Sequence, residues 1–154
     1  MTARFEVQRA SDSKKIPTKT SLAKYAEATL DGRLGAAKLV IRIVDEPESQ
    51  ALNRQYRGID RPTNVLSFPF EAPPQVRSRH IGDLVICAPV VEREAAEQGK
   101  PLEAHWAHMV VHGALYLLGY DHHTDADAET MEGLEIAILG RLGFPNPYEA
   151  RQTE

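Results

Sequence analysis

Residues 102 to 118, LEAHWAHMVVHGALYLL, constrain the fold more than any other stretch. Between Met109 and Leu118 only His112, Gly113 and Tyr116 are not plainly apolar, so a helix here has almost no polar face and must be surrounded by other elements. Pro101 stands at its start and Gly119 at its end, which bounds it. A buried central helix needs structure on several sides, and a chain of 154 residues can supply it. Such a chain buries roughly two-thirds of its unfolded surface and folds without staples. The expectation is one domain over residues 1–154.

The surrounding elements are legible on both sides. RFEVQRA alternates apolar and polar residues and reads as a strand; TSLAKYAEATLDG follows as a helix with Thr20 or Ser21 as cap and Gly32 as stop. AKLVIRIV (37–44) is a β-branched run, after which Asp45 can cap a helix that carries Pro47 in its first turn and closes at Gly58. TNVLSFPF (63–70) and IGDLVICA (81–88) are two further strands, separated by a proline- and arginine-bearing loop. A helix from about Pro89 to Gln98 stops at Gly99, and Thr124 caps a last helix with Met131, Leu134, Ile138 and Leu142 on one face. The fold class expected is mixed α/β (α+β): four strands and about five helices around one core.

Composition narrows the class of function. There is no run of about 18 apolar residues and no basic segment leading into an apolar one, so no membrane span or export signal is expected. Cys87 is the single cysteine, has no disulfide partner within the chain and reads as a buried strand end; a reducing cytoplasm suits it. The net charge of −4 disfavours a protein that coats nucleic acid non-specifically. That average hides a gradient. Arg54, Arg57, Arg61, Arg77 and Arg79 face only Asp60 and Glu71 between Asn53 and His80, whereas eight acidic residues crowd the chain from Asp121 onward. One region can meet a phosphate and the other repels it.

At about 100° per residue, His105, His108, His112 and Tyr116 fall within roughly an 80° stripe of the central helix. Four-residue spacing places His112 and Tyr116 one turn apart, with Cβ atoms about 5 to 6 Å from each other. Gly119 then ends the helix, and the turn YDH lets His122 approach the same point. These offsets are those of the zincin-like template HExxHxxGxxH. The chemistry differs. Gly113 occupies the place of the general base that a peptidase needs, and Tyr116 replaces the middle histidine with a phenol whose unperturbed pKa is about 10. His105 and His108 read as structural or exposed, and the acidic last helix as a solvated face. Arg57 offers a guanidinium fork suited to phosphate, or a cation at the end of its own helix.

HGALYLLGYDH resembles the HGxLHLxGYDH signature of the YbeY endoribonuclease family, a bacterial metalloprotein family that processes ribosomal RNA. LNRQYRGIDRPTNVLSFPFE resembles that family's LNxxYRxxDxPTDVLSF segment, IGDLVICAPVVEREAAEQG its LGDIxIxxxxxxxxAxxxG segment, and MEGLEIAIL its acidic helix. The resemblance implies a small mixed sheet, a metal held by the signature histidines, and cleavage of single-stranded RNA linked to ribosome maturation. Carried over by position, His112 and His122 match metal ligands and Tyr116 stands at the middle ligand. Zn²⁺ is the implied ion, and a set of two histidines holds it more weakly than three unless Tyr116, His123, Asp121 or His108 contributes. Arg57 lies in the segment that is thought to meet RNA phosphate. The family's lysine two residues later is here Ile59, with Arg61 as the nearest substitute.

Three functions are therefore expected in order. The first is a metal-dependent endoribonuclease acting on ribosomal RNA, with Arg57 and His112 catalytic and the small ribosomal subunit as partner. The second is a non-catalytic assembly factor that binds ribosomal RNA or a ribosomal protein, and the third is a metallopeptidase.

Overall fold

The computed structural model describes residues 4–31, 33, 37–70, 75 and 79–149. Along the chain run β1 (Arg4–Ala10), α1 (Lys19–Leu30), β2 (Lys38–Val44), α2 (Glu46–Arg57), β3 (Val65–Pro69), β4 (His80–Cys87), α3 (Ala88–Gln98), α4 (Leu102–Leu117) and α5 (Asp125–Arg141). The four strands and five helices are those expected from the sequence, and the sheet is mixed. Its order is β1-β2-β4-β3, with the first three strands parallel and β3 antiparallel on the edge beside β4. Parallel neighbours require crossovers, which α1 supplies between β1 and β2. Most of the loop expected between β3 and β4 lies outside the described residues.

The two inner strands alternate between buried faces. Leu39, Ile41 and Ile43 of β2 and Leu84 and Ile86 of β4 enter the main core, which α1, α4 and α5 complete through Leu22, Trp106, Val110, Met131 and Ile138. Val44, Val85 and Cys87 point the other way, into a smaller cluster with Leu66 and Val90 that Leu52 of α2 and Phe68 of β3 cover. A sheet buried on both faces explains the near-continuous apolar text of β2 and β4. Cys87 is fully buried, as its setting suggests.

Helix α4 is the hub. It touches α1, α3, α5, β3 and β4, and ten of its residues are buried. Its approach to the sheet depends on Gly113, where an added Cβ would lie 2.8 Å from Leu84 Cδ2 and 3.2 Å from both Ser67 Oγ and Val65 Cγ2. The Ser67 hydroxyl donates to the Gly113 carbonyl at 3.1 Å, which ties helix to edge strand. Among the described residues no helix is long and apolar enough to cross a membrane.

Two helix caps differ from expectation. Thr18, not Thr20 or Ser21, caps α1 by accepting the Ser21 amide proton at 3.1 Å; the helix simply begins earlier in a stretch where several hydroxyls could serve. Gly32, the expected stop, lies outside the described residues. Asp45 occupies the cap position of α2 but turns its carboxylate to the Ser11 hydroxyl and the Asp12 amide, joining the end of β1 to the end of β2. Thr124 does cap α5, accepting from Asp127 at 3.1 Å.

Adding atoms at two helical glycines should have opposite effects. Gly133 in α5 is exposed with nothing within 4 Å, so Gly133→Ala is expected to stabilise by about 0.5 to 1 kcal/mol through helix propensity. Gly113→Val should cost at least about 2 kcal/mol by overpacking against Leu84 and β3. Urea unfolding of both variants checks the contrast, and a neutral Gly113→Val would show that α4 does not need this close approach.

Candidate functional site

The C-terminal end of α4 sets the site. Gly119 adopts φ 103, and the amides of Gly119 and Tyr120 donate to the carbonyls of Tyr116 and Leu115 at 3.0 and 3.1 Å. This αL-glycine termination reverses the chain. His122 thereby returns to His112, with ring centroids 5.7 Å apart and the planes tilted by 39°. Asp121 holds the turn: its Oδ1 accepts the His122 amide proton at 2.7 Å, and its Oδ2 lies 2.8 Å from His123 Nε2.

His112 is held from behind by a buried carboxylate on α5. Glu135 Oε2 lies 2.5 Å from His112 Nδ1, and Oε1 lies 3.1 Å from His108 Nε2 while also accepting the Tyr148 hydroxyl. Burial by itself would raise the Glu135 pKa, but the hydrogen bonds from His108, His112 and Tyr148 outweigh it and hold the group down at about 2. An ionised carboxylate can only accept, so both imidazole nitrogens facing it carry protons. His112 therefore has its Nδ1 committed and its Nε2 left over, the arrangement in which a second carboxylate partner fixes the tautomer of a metal-binding histidine. Burial lowers the His108 pKa against the pull of Glu135, and burial together with Glu135 raises that of Tyr148.

His112, Tyr116, Asp121, His122 and His123 line a cleft of about 250 Å³ together with Tyr56 and Arg57 from the end of α2 and Val65, Leu66 and Ser67 of β3. A smaller recess of about 160 Å³ runs from the two histidines to Glu132, Glu135 and Tyr148. The four residues expected at the site, Arg57, His112, Tyr116 and His122, thus share one cleft. Arg57 is exposed and makes no ion pair with a described residue, so its guanidinium is available to an anionic ligand. Arg61 does not line this cleft.

The donor set fits a metal ion in part. The imidazoles of His112 and His122 approach each other in one cleft, and His112 has its back nitrogen already occupied, as ligation through Nε2 requires. Among the described residues, however, no group of three or more His, Cys, Asp and Glu side chains is placed to hold an ion. Tyr116 lies in the cleft where a third imidazole is expected from the template. His123 is 81% exposed and paired with Asp121, and His108 is turned to Glu135, so neither completes a triad.

Three residues escaped sequence reasoning. Glu135 was expected on a solvated face, yet it is fully buried, because it stands on the same helical stripe as Met131 and Ile138; an acid on an apolar stripe was the available signal. His105 and His108, by contrast, read as structural or exposed, are structural: both are buried and each is paired with a glutamate, Glu94 at 2.9 Å for His105. Tyr148, in the segment taken only as the end of regular structure, bonds to the core of the network. Tyr56 matches the tyrosine of the LNxxYRxxD segment, but no role was attached to it.

Compared with known proteins, residues 6–143 match the family model described as Endoribonuclease YbeY. Among solved structures, the chain is similar to the solution structure of TM1509 from Thermotoga maritima, with a TM-score of 0.57 and 25% identity, covering 93% of this chain and 99% of that one.

Replacing Glu135 by Gln removes the charge that pairs two imidazoles and should cost about 3 kcal/mol near neutral pH. Because the folded-state pKa of Glu135 lies below its unfolded value, its contribution is full above about pH 5 and is lost as pH falls toward 2. The stability gap between wild type and Glu135→Gln should therefore narrow over that range, as read by urea midpoints at stepped pH. A gap that is constant from pH 7 to pH 3 would contradict the assignment.

Proposed function

The chain belongs to the YbeY endoribonuclease family, and from that premise we propose that it is a metal-dependent, RNA-cleaving hydrolase acting on single strands in ribosomal RNA maturation and ribosome quality control. In this reading one domain over residues 1–154 carries the activity in the cytoplasm, and the small ribosomal subunit is the partner. The observation that carries the proposal is the shared cleft, in which Arg57 from α2 and the His112–His122 pair from the end of α4 face one another around the edge of β3.

His112 and His122 would hold the ion, and zinc suits an imidazole pair. When bound, the ion supplies Lewis acidity toward a phosphate oxygen. Arg57 grips the phosphate with its planar fork and offsets the charge that grows on it during cleavage. Glu135 fixes the tautomer and orientation of His112, and Gly119 sets the bend that returns His122. Tyr116 lines the cleft without the basicity of an imidazole, which implies weak metal retention. Gly113, buried against the sheet at the position of a peptidase base, can move no proton and removes support for peptide hydrolysis.

The missing third ligand favours one other reading, a non-catalytic assembly factor that binds ribosomal RNA or a ribosomal protein through the basic end of α2. The two readings part on turnover. For the nuclease, nuclease-free protein should cleave single-stranded RNA, chelator should abolish the cleavage, and Arg57→Ala should slow it by about 10²- to 10³-fold. For the assembly factor, ribosome association survives chelation and no cleavage occurs. Tyr116→His should carry more zinc than wild type after identical purification; equal and negligible zinc in both would remove the metal from the proposal.

A further inference from the structure

Tyr56 is one of three large hydrophobic side chains that stand out among the described residues for exposure, at 49%. A single exposed tyrosine is ordinary on a protein surface and needs no explanation. This one has two further properties. Its ring lies against Phe68 of β3, with centroids 4.5 Å apart and planes at 54°, and Phe68 is itself packed on the smaller core cluster. The phenol ring is thus backed by an anchored aromatic, and about half of the residue is open to solvent. Tyr56 also lines the cleft that contains Arg57, His112 and His122, as the residue next to Arg57 in the last turn of α2.

An aromatic surface supported from behind, half exposed and adjacent to a guanidinium that pairs with no described residue matches the chemistry of one nucleotide: a planar base and its phosphate. Tyr116, the other aromatic of the cleft, is packed against the main core and offers less free surface. We propose that Tyr56 is a stacking platform for the unpaired base beside the phosphate held by Arg57. This deepens the RNA-cleaving reading and rests on it. A base within a duplex is stacked and paired on its neighbours and is not free to cover Tyr56, so the platform makes single-strandedness a requirement of binding. Every base has a π-face, so the site selects unpaired nucleotides with little regard to their sequence.

The test is equilibrium binding of a labelled single-stranded oligoribonucleotide, 2′-O-methylated throughout to prevent cleavage, against the same strand carrying abasic residues. Tyr56→Ala should weaken binding of the base-bearing strand about tenfold or more, the usual loss for one base–aromatic stack. Tyr56→Phe, which keeps the ring, should stay within about threefold of wild type, and on the abasic strand wild type and Tyr56→Ala should bind alike. Tyr56→Ala equal to wild type while Arg57→Ala weakens binding would overturn the platform and leave the nuclease reading standing. Equal losses in Tyr56→Phe and Tyr56→Ala would assign the effect to the hydroxyl and overturn it too. Failure of wild type to bind either strand would bring down the RNA reading itself, and the platform with it.

Discussion

One carboxylate, buried where α5 meets α4, organises the functional end of the molecule. Glu135 has no exposed surface, and within reach of its two oxygens lie His108, His112 and the hydroxyl of Tyr148. An isolated charge in such a place would be strongly unfavourable, and three donors make it tolerable. The same contacts leave His112 little freedom to turn its ring. A group that must meet a ligand in a fixed orientation is therefore held by the helix packing of the protein rather than by a loop.

The site is built from both faces of the sheet. Helix α4 lies on the main core side and α2 covers the smaller cluster, so Arg57 and His112 share a cleft around a strand that has no neighbour beyond it among the described residues. β3 is that strand, and its first three residues, Val65, Leu66 and Ser67, line the cleft. Its antiparallel pairing with β4 and its bond through Ser67 to Gly113 fix how far the two sides stand apart. An edge strand is usually a liability for unwanted pairing. Here it is short and partly occupied by the site.

Much of this was readable before any coordinates. The alternation in RFEVQRA, the β-branched run before Asp45 and the apolar text around Met109 mark their elements because burial on one face, two faces or all round leaves different periodicities. The offsets of His112, Gly119 and His122 are local, so helix geometry and a glycine termination suffice to bring them together. Glu135 and Tyr148 were not legible in the same way. Their partners sit 23 and 40 residues away from them along the chain, at His112 and His108 respectively, and no local pattern encodes a contact of that range. The caps of α1 and α2 differed for a smaller reason: at α1 several hydroxyls could serve and Thr18 does, while at α2 Asp45 holds the expected position but turns its carboxylate to Ser11.

The order of these parts along the polypeptide has a consequence for the chain during its synthesis. Arg57 and His112 precede His122, and Glu135 and Tyr148 come later still. A nascent chain on which α5 has not yet docked lacks the carboxylate behind His112, so the imidazole that orients the cleft is free to rotate. The synthesis of α5 and of the segment carrying Tyr148 is then also the step at which the cleft acquires its final shape. Competence toward a ligand is postponed until α5 and the Tyr148 segment have docked.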